Sequence, residues 1–180
     1  MNFIFHVNIS ENDYLDYNIF WQLKSPYGKN QILFFRIFLA VIVLAGAFIS
    51  LRGNYSIDSF LGVTPILLVG IIFELLLNRL FYHVLKSHIK GLSKKGKMGY
   101  SSTSVMEFNE DGFAETTQEN KTEQKYSAIE RISIVNDKMI YIHTNNIMAY
   151  ILPLSCFESK EQYDAFLNFI RTKCHTIDIY

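Results

Sequence analysis

The first residues of the chain alternate. Phe3, Phe5, Val7 and Ile9 fall on one side of an extended segment, and Asn2, Ile4, His6 and Asn8 fall on the other. That is the period of a half-buried strand. Ser10 stands three positions before Asp13, close to a capping box, and predicts a helix reaching about Leu23 and stopping short of Pro26. From Ile32 the alternation gives way to continuous apolar sequence. The run Ile32–Leu51 carries one charge, Arg36, and the run Phe60–Tyr82 carries Glu74 and Arg79, with Pro65 near its start, where a missing N–H costs least. About 20 apolar residues at 1.5 Å each cross the ~30 Å of bilayer hydrocarbon. A transmembrane hairpin is therefore predicted over 32–85, with spans at about 32–51 and 60–82 and a turn-rich connection, Arg52–Ser59, between them. A soluble pair of core helices is the alternative, but 180 residues supply too small a shell to cover both.

Beyond Tyr100 the runs shorten. Strands fit Ser104–Asn109, Phe113–Glu119, Glu123–Tyr126, Ile129–Val135, Met139–His143 and Ile147–Leu152. Turn chemistry separates them at Glu110-Asp111-Gly112, Asn120-Lys121, Asn136-Asp137-Lys138 and Asn145-Asn146. After Pro153, Ser159 and Gln162 form the two halves of a capping box, and Tyr163, Phe166, Leu167 and Ile170 recur at helical spacing. The expected fold is an α+β membrane protein, in which a two-helix hairpin accompanies a small antiparallel β domain closed by one C-terminal helix, a pleckstrin-homology-like (PH-like) plan. Four segments follow: an N-terminal strand and helix over 1–31, the hairpin over 32–85, a basic linker over 86–99 and the PH-like domain over 100–180. That sheet is short of core, so the N-terminal strand is a candidate to dock on it. Trp21 reads equally as an interfacial anchor or as core.

Formal net charge is zero, but its distribution is uneven. Residues 32–99 hold eight Lys/Arg against two acids, and residues 100–180 hold seven against twelve. The Lys/Arg excess flanks the outer ends of the hairpin, which predicts both termini in the cytoplasm of a bacterial cell, with the hairpin in its inner membrane. The opening residues lack the basic start and apolar run of a signal peptide. Lys86, Lys90, Lys94, Lys95 and Lys97 lie in a glycine-containing stretch read as a flexible linker that contacts anionic lipid. An antiparallel hairpin turning near residue 55 sets Arg36 opposite Glu74, a predicted structural ion pair inside the bilayer.

The domain's rhythm of Phe108-Asn-Glu-Asp-Gly112, Tyr126-Ser-Ala-Ile129, Tyr141-Ile-His143 and Tyr150-Ile-Leu-Pro153-Leu-Ser-Cys-Phe157, together with the strand, helix and hairpin before it, resembles the YcxB-like family of bacterial membrane proteins. Tyr126 stands where the family usually carries Trp, and Leu154, Ser155 and Cys156 lack the basic residue common in relatives. The resemblance brings no catalytic residues and no assigned activity.

Candidate chemistry changes the picture little. His83 and His88 are five apart, off a common helix face. Cys156 and Cys174 form no CxxC, and Cys174-His175 has no third group to orient it. Gly91, Gly96 and Gly99 do not make a phosphate loop. The expectation is no enzyme activity, no cofactor, no metal and no nucleic acid. The first strand loop, Glu110-Asp111-Gly112, has the wrong charge for lipid phosphate. What remains is a membrane-anchored interaction module with membrane lipids and an unidentified protein as partners. A small homo-oligomeric transport or regulatory component, using the hairpin charges and the small residues around Gly46, is the alternative.

Overall fold

A computed structural model describes residues 2–51, 56–96, 98–145 and 148–180. The readings that fall on Arg52, Lys97, Asn146 and Ile147 lie outside these residues. The chain divides into two compact units, Asn18–Gly91 and a discontinuous one of Met1–Tyr17 with Leu92–Tyr180.

The discontinuous unit begins with β1 (Phe3–Asn8), whose buried and exposed residues alternate strictly. Ser10 caps α1 (Glu11–Ile19), and the capping box is made: the Ser10 amide donates to Asp13 Oδ2 at 2.9 Å, and the Asp13 amide donates to Ser10 Oγ at 3.2 Å. After the hairpin come β2 (Thr103–Phe108), β3 (Gly112–Thr116), β4 (Lys121–Lys125), β5 (Arg131–Val135), β6 (Met139–His143) and β7 (Ala149–Pro153), then α4 (Lys160–Lys173) and β8 (Ile177–Ile179). Two four-stranded sheets result, ordered β1-β2-β3-β4 and β7-β6-β5-β8. All pairs are antiparallel except β5 with β8. Asn136 and Asp137 turn β5 into β6 with φ of 52° and 48°, the type I′ geometry that matches strand twist. Ser159 Oγ accepts from the Gln162 amide at 3.2 Å, and Gln162 Oε1 accepts from Glu158 N, one residue before the cap, at 2.8 Å, so α4 starts on a capping box whose return bond is shifted by one residue.

The core is aromatic. Phe166 of α4 lies 5.4 Å from Phe3, 5.1 Å from Phe5 and 4.9 Å from Phe108, ring centre to ring centre and edge to face. β1 is therefore part of the sheet that α4 covers, although the whole hairpin separates β1 from β2 in sequence. The register runs without a break from Phe3↔Phe108 to Asn8↔Thr103.

The second unit holds α2 (Pro26–Leu51) and most of α3 (Ile57–Lys94). Both are long and apolar enough to cross a membrane, and only 11% of the most apolar window of each is buried. Core helices of a soluble protein would be covered, so these two point to a membrane protein. α2 starts six residues before the apolar run. Ser25 is its N-cap, accepting from the Gly28 amide at 3.0 Å, and Pro26 takes the first helical position. One turn of π-helix, Phe20–Lys24, precedes it. Gly28 is pressed against that turn: a Cβ there would run into the backbone carbonyls of Trp21 and Gln22. Gly28→Ala should cost about 1–3 kcal/mol by overpacking. A denaturation curve followed by fluorescence of Trp21, the sole tryptophan, checks this, since its ring lies 5.6 Å from that of Tyr27.

α3 differs from expectation at its far end. Its 38 residues run on to Lys94 through the stretch read as a flexible linker. Lys and Leu are good helix formers, and Gly91 alone does not outweigh them. The chain breaks only at Gly96, with φ of 62°.

Candidate functional site

In the hairpin unit the polar groups converge on Arg36. Its Nη2 donates to Asn78 Oδ1 at 3.1 Å, and its Nε lies 3.1 Å from Glu74 Oε1. The Nε–carboxylate contact is an ion pair by distance but does not have the angle of a hydrogen bond. Glu74 and Asn78 are one turn apart on α3 and so share a face. Deeper along the hairpin the helices come close where Gly70 meets Val43: a Cβ at Gly70 would stand 2.9 Å from Val43 Cγ1. Between these landmarks runs an apolar groove of about 670 Å³ lined from Leu33 to Leu44 on α2 and from Leu67 to Leu75 on α3. A polar cavity of about 200 Å³ adjoins it, lined by Leu23, Lys29, Ile32, Leu33, Arg36 and Asn78.

The lysines take up a helical arrangement. Lys86, Lys90 and Lys94 are spaced by four on α3, so they form one stripe about 6 Å apart along the axis. The Lys86 ammonium lies 5.7 Å from the Tyr82 ring centre. Lys95 follows the last helical residue, and Lys97 is outside the described residues. Among the described residues no group of three or more His, Cys, Asp or Glu could hold a metal ion.

In the sheet unit, sequence reasoning missed a buried polar cluster. β6 is buried along its full length, which means both of its faces are covered. Ile140 and Ile142 face the core. Tyr141 and His143 face the other way, where the Tyr17 ring of α1 stacks edge-on to Tyr141 at 5.1 Å. His143 Nε2 and Ser133 Oγ are 3.2 Å apart, at 1% and 0% exposure. A signal was present: Met139-Ile-Tyr-Ile-His143 is a continuous run, not an alternation. Burial, with Arg131 nearby as a smaller cause, holds the His143 imidazole down at about pKa 4. Burial likewise pushes the Tyr17 hydroxyl up to about 12. A Ser–His pair this enclosed and this neutral is packing, not an exposed nucleophile and base.

On the outer face of the first sheet, a groove of about 440 Å³ lies over β1–β3, lined by groups that include His6, Asn8, Thr103, Thr116 and Gln118. Lys173 Nζ lies 3.1 Å from Glu110 Oε2 and 3.0 Å from the Glu110 carbonyl oxygen, tying the end of α4 to the β2–β3 turn.

The description "YcxB-like protein" matches residues 108–170. Over that segment the chain is similar to the YcxB-like family. No curated protein and no solved structure matches it. The YcxB-like segment runs from the last residue of β2 to Ile170 in α4, so it takes in β3 to β7 and most of the covering helix. Its two ends meet in the core, where Phe108 contacts Phe166. Within it, Tyr126 donates its hydroxyl to the Asn109 carbonyl at 2.7 Å, while Asn109 Oδ1 accepts from the amides of Asp111 and Gly112. The Phe108–Gly112 rhythm is thus an Asx-type turn locked by the residue that stands in the usual Trp position.

His143 lies inside the YcxB-like segment and gives it a pH dependence. The folded imidazole titrates near 4 and the unfolded one near 6.5, so the unfolded state takes up the proton first. The contribution of His143 to stability should be complete above pH 6.5, fall by about 3 kcal/mol between 6.5 and 4, and level off below. Denaturation at pH 7 and pH 4.5 should differ clearly for the natural chain, and His143→Gln should remove most of that difference.

Proposed function

We propose that this chain is a non-enzymatic interaction module, anchored by its hairpin in the bacterial inner membrane with both termini and the sheet unit in the cytoplasm. The pairing of β1 with β2 carries the reading. These strands flank the hairpin in sequence and share six register pairs, so a membrane-crossing hairpin must leave and return on one side. The excess of Lys and Arg beside the outer helix ends makes that side cytoplasmic. The sheet unit supports the PH-like plan, since seven antiparallel strands in sets of four and three are closed by α4, with β8 added as an extra edge. In that plan the chain supplies the first strand before the hairpin and the rest after it.

The partner is a protein bound on the sheet unit, and the groove over β1–β3 is the surface assigned to it. Ile4 supports this, as a 57% exposed apolar residue on the same outer face of β1. The pairing of Arg36 with Glu74 and Asn78 within one hairpin favours an anchor over an oligomeric transport component, because each charge has an opposite partner without a second copy. Two measurements test the proposal. Reporters fused at each terminus should both read as cytoplasmic, and an external reading of either overturns the topology. A photo-crosslinking residue at Thr116 of the full chain, in its native membrane, should trap a discrete protein that the same residue at Glu161 does not. Equal trapping at both positions, or none, removes the partner surface.

A further inference from the structure

The two cavities of the hairpin unit share Leu33 and Arg36, so a polar chamber lies next to an apolar groove. We propose that together they bind one anionic phospholipid, its phosphate between Lys29, Arg36 and Asn78 and one acyl chain lying along the groove. The inference rests on the hairpin being in a bilayer.

The sequence builds the site by helical spacing. Lys29, Ile32, Leu33 and Arg36 stand at i, i+3, i+4 and i+7, one face of α2. Ile37, Ala40, Val43 and Leu44 continue that face into the hydrocarbon. On α3, Leu67, Gly70, Ile71, Glu74 and Asn78 repeat the spacing. The small side chain of Ala40 leaves space in the groove that a larger one would fill, while Gly70 lets the two helices close against Val43 at its deeper part. From Leu33 to Leu44 the groove is about 16 Å long at 1.5 Å per residue, roughly half of the ~30 Å hydrocarbon core. That is the depth of one leaflet and the reach of one acyl chain. Its volume of about 670 Å³ falls within the ~300–1,000 Å³ usual for ligand sites.

Charge selects the head group. At the polar end two cations, Lys29 and Arg36, face one carboxylate, Glu74, which leaves one positive charge. The ion pairs among the described residues do not include Lys29. Arg36 offers a further Nη1 after serving Glu74 and Asn78. A phosphodiester bearing one negative charge balances the chamber, and a zwitterionic head group does not. Lys29 lies on the polar side of the apolar run, at the depth where a long cationic side chain reaches phosphate.

The test uses the full chain in nanodiscs of phosphatidylcholine with a minor fraction of phosphatidylglycerol, released into a native mass spectrometer. A single phosphatidylglycerol adduct should be retained in preference to phosphatidylcholine. Lys29→Gln should lower its retention about fivefold, and Ala40→Phe, which plugs the groove without touching a charge, should also abolish the preference. Lys138→Gln, in an exposed turn of the sheet unit, should leave it unchanged. Equal retention of both lipids, or a loss as large with Lys138→Gln as with Lys29→Gln, overturns the site. Failure of the hairpin reading itself looks different, because the chain would then stay in the aqueous fraction and never enter the nanodisc.

Discussion

Phe166→Ala should be the most damaging single truncation in the sheet unit, costing about 3–5 kcal/mol. A domain of this size has only ~5–15 kcal/mol in hand, so the variant should lose much of its folded population under mild denaturant. The reason is position. Phe166 is fully buried, and its ring touches Phe3, Phe5, Phe108 and Phe157, which come from β1, β2 and the segment after β7. Removing it opens a cavity that rings fixed in strands cannot collapse into. Phe5→Ala should behave alike, since Phe5 is 1% exposed and packs on Phe166 and on three of the same rings, Phe3, Phe108 and Phe157. Ile4→Ala, one residue away on the outer face, should stay within about 0.5 kcal/mol. Hydrogen exchange at the amides of β2 and β6 in the full chain separates these outcomes. If Phe5→Ala left that protection intact, β1 would not belong to the cooperative core.

That experiment also bears on what the amino-acid pattern could reveal. The alternation of Phe3, Phe5, Val7 and Ile9 made β1 legible as a strand, and the shortage of core made the C-terminal sheet a candidate to receive it, but the strand it pairs with was not legible. The pairing with Thr103–Phe108 spans the entire hairpin, and no local signal encodes a contact over that distance. The capping boxes at Ser10 and Ser159 were readable because both partners lie within one turn. Helix ends in the hairpin were harder. Hydropathy marks where lipid begins, not where the helix begins, so α2 starts at Pro26 although its apolar run starts at Ile32. Ser25-Pro26, an N-cap followed by a proline at the first helical position, was the clue to that start. The lysine-rich end of α3 misled in the opposite sense, its glycines suggesting a flexible linker where helix formers dominate. β8 had no signal of its own: three residues become a strand only because β5 offers an edge in parallel. The polar cluster of Ser133, Tyr141 and His143 is hidden for a related reason, since α1 is what buries the second face of β6.

In the hairpin, Glu74→Leu should destabilise by about 1–3 kcal/mol, because it leaves the Arg36 guanidinium among apolar side chains without its carboxylate. The loss stays below that of a deeply placed charge because Arg36 sits near the start of the apolar run and can extend toward the head groups. Arg36→Leu leaves Glu74 stranded in the same way. The double variant, Arg36→Leu with Glu74→Leu, removes both charges and their desolvation cost together, and should come back close to the natural chain. Exchanging the charges, Arg36→Glu with Glu74→Arg, should recover part of each single loss, but not all of it. Reach explains the shortfall: a glutamate on α2 is shorter than the arginine it replaces and does not span to both its α3 partner and Asn78. Asn78→Leu alone should cost only about 0.6 kcal/mol, the usual size of an interhelical hydrogen bond in a membrane. Unfolding of the full chain in mixed micelles, titrated with a denaturing detergent, measures all five variants on one scale. Strict additivity of the two single losses would mean that Arg36 and Glu74, 3.1 Å apart, act independently and that the hairpin register is set by apolar packing at Val43 and Gly70 alone.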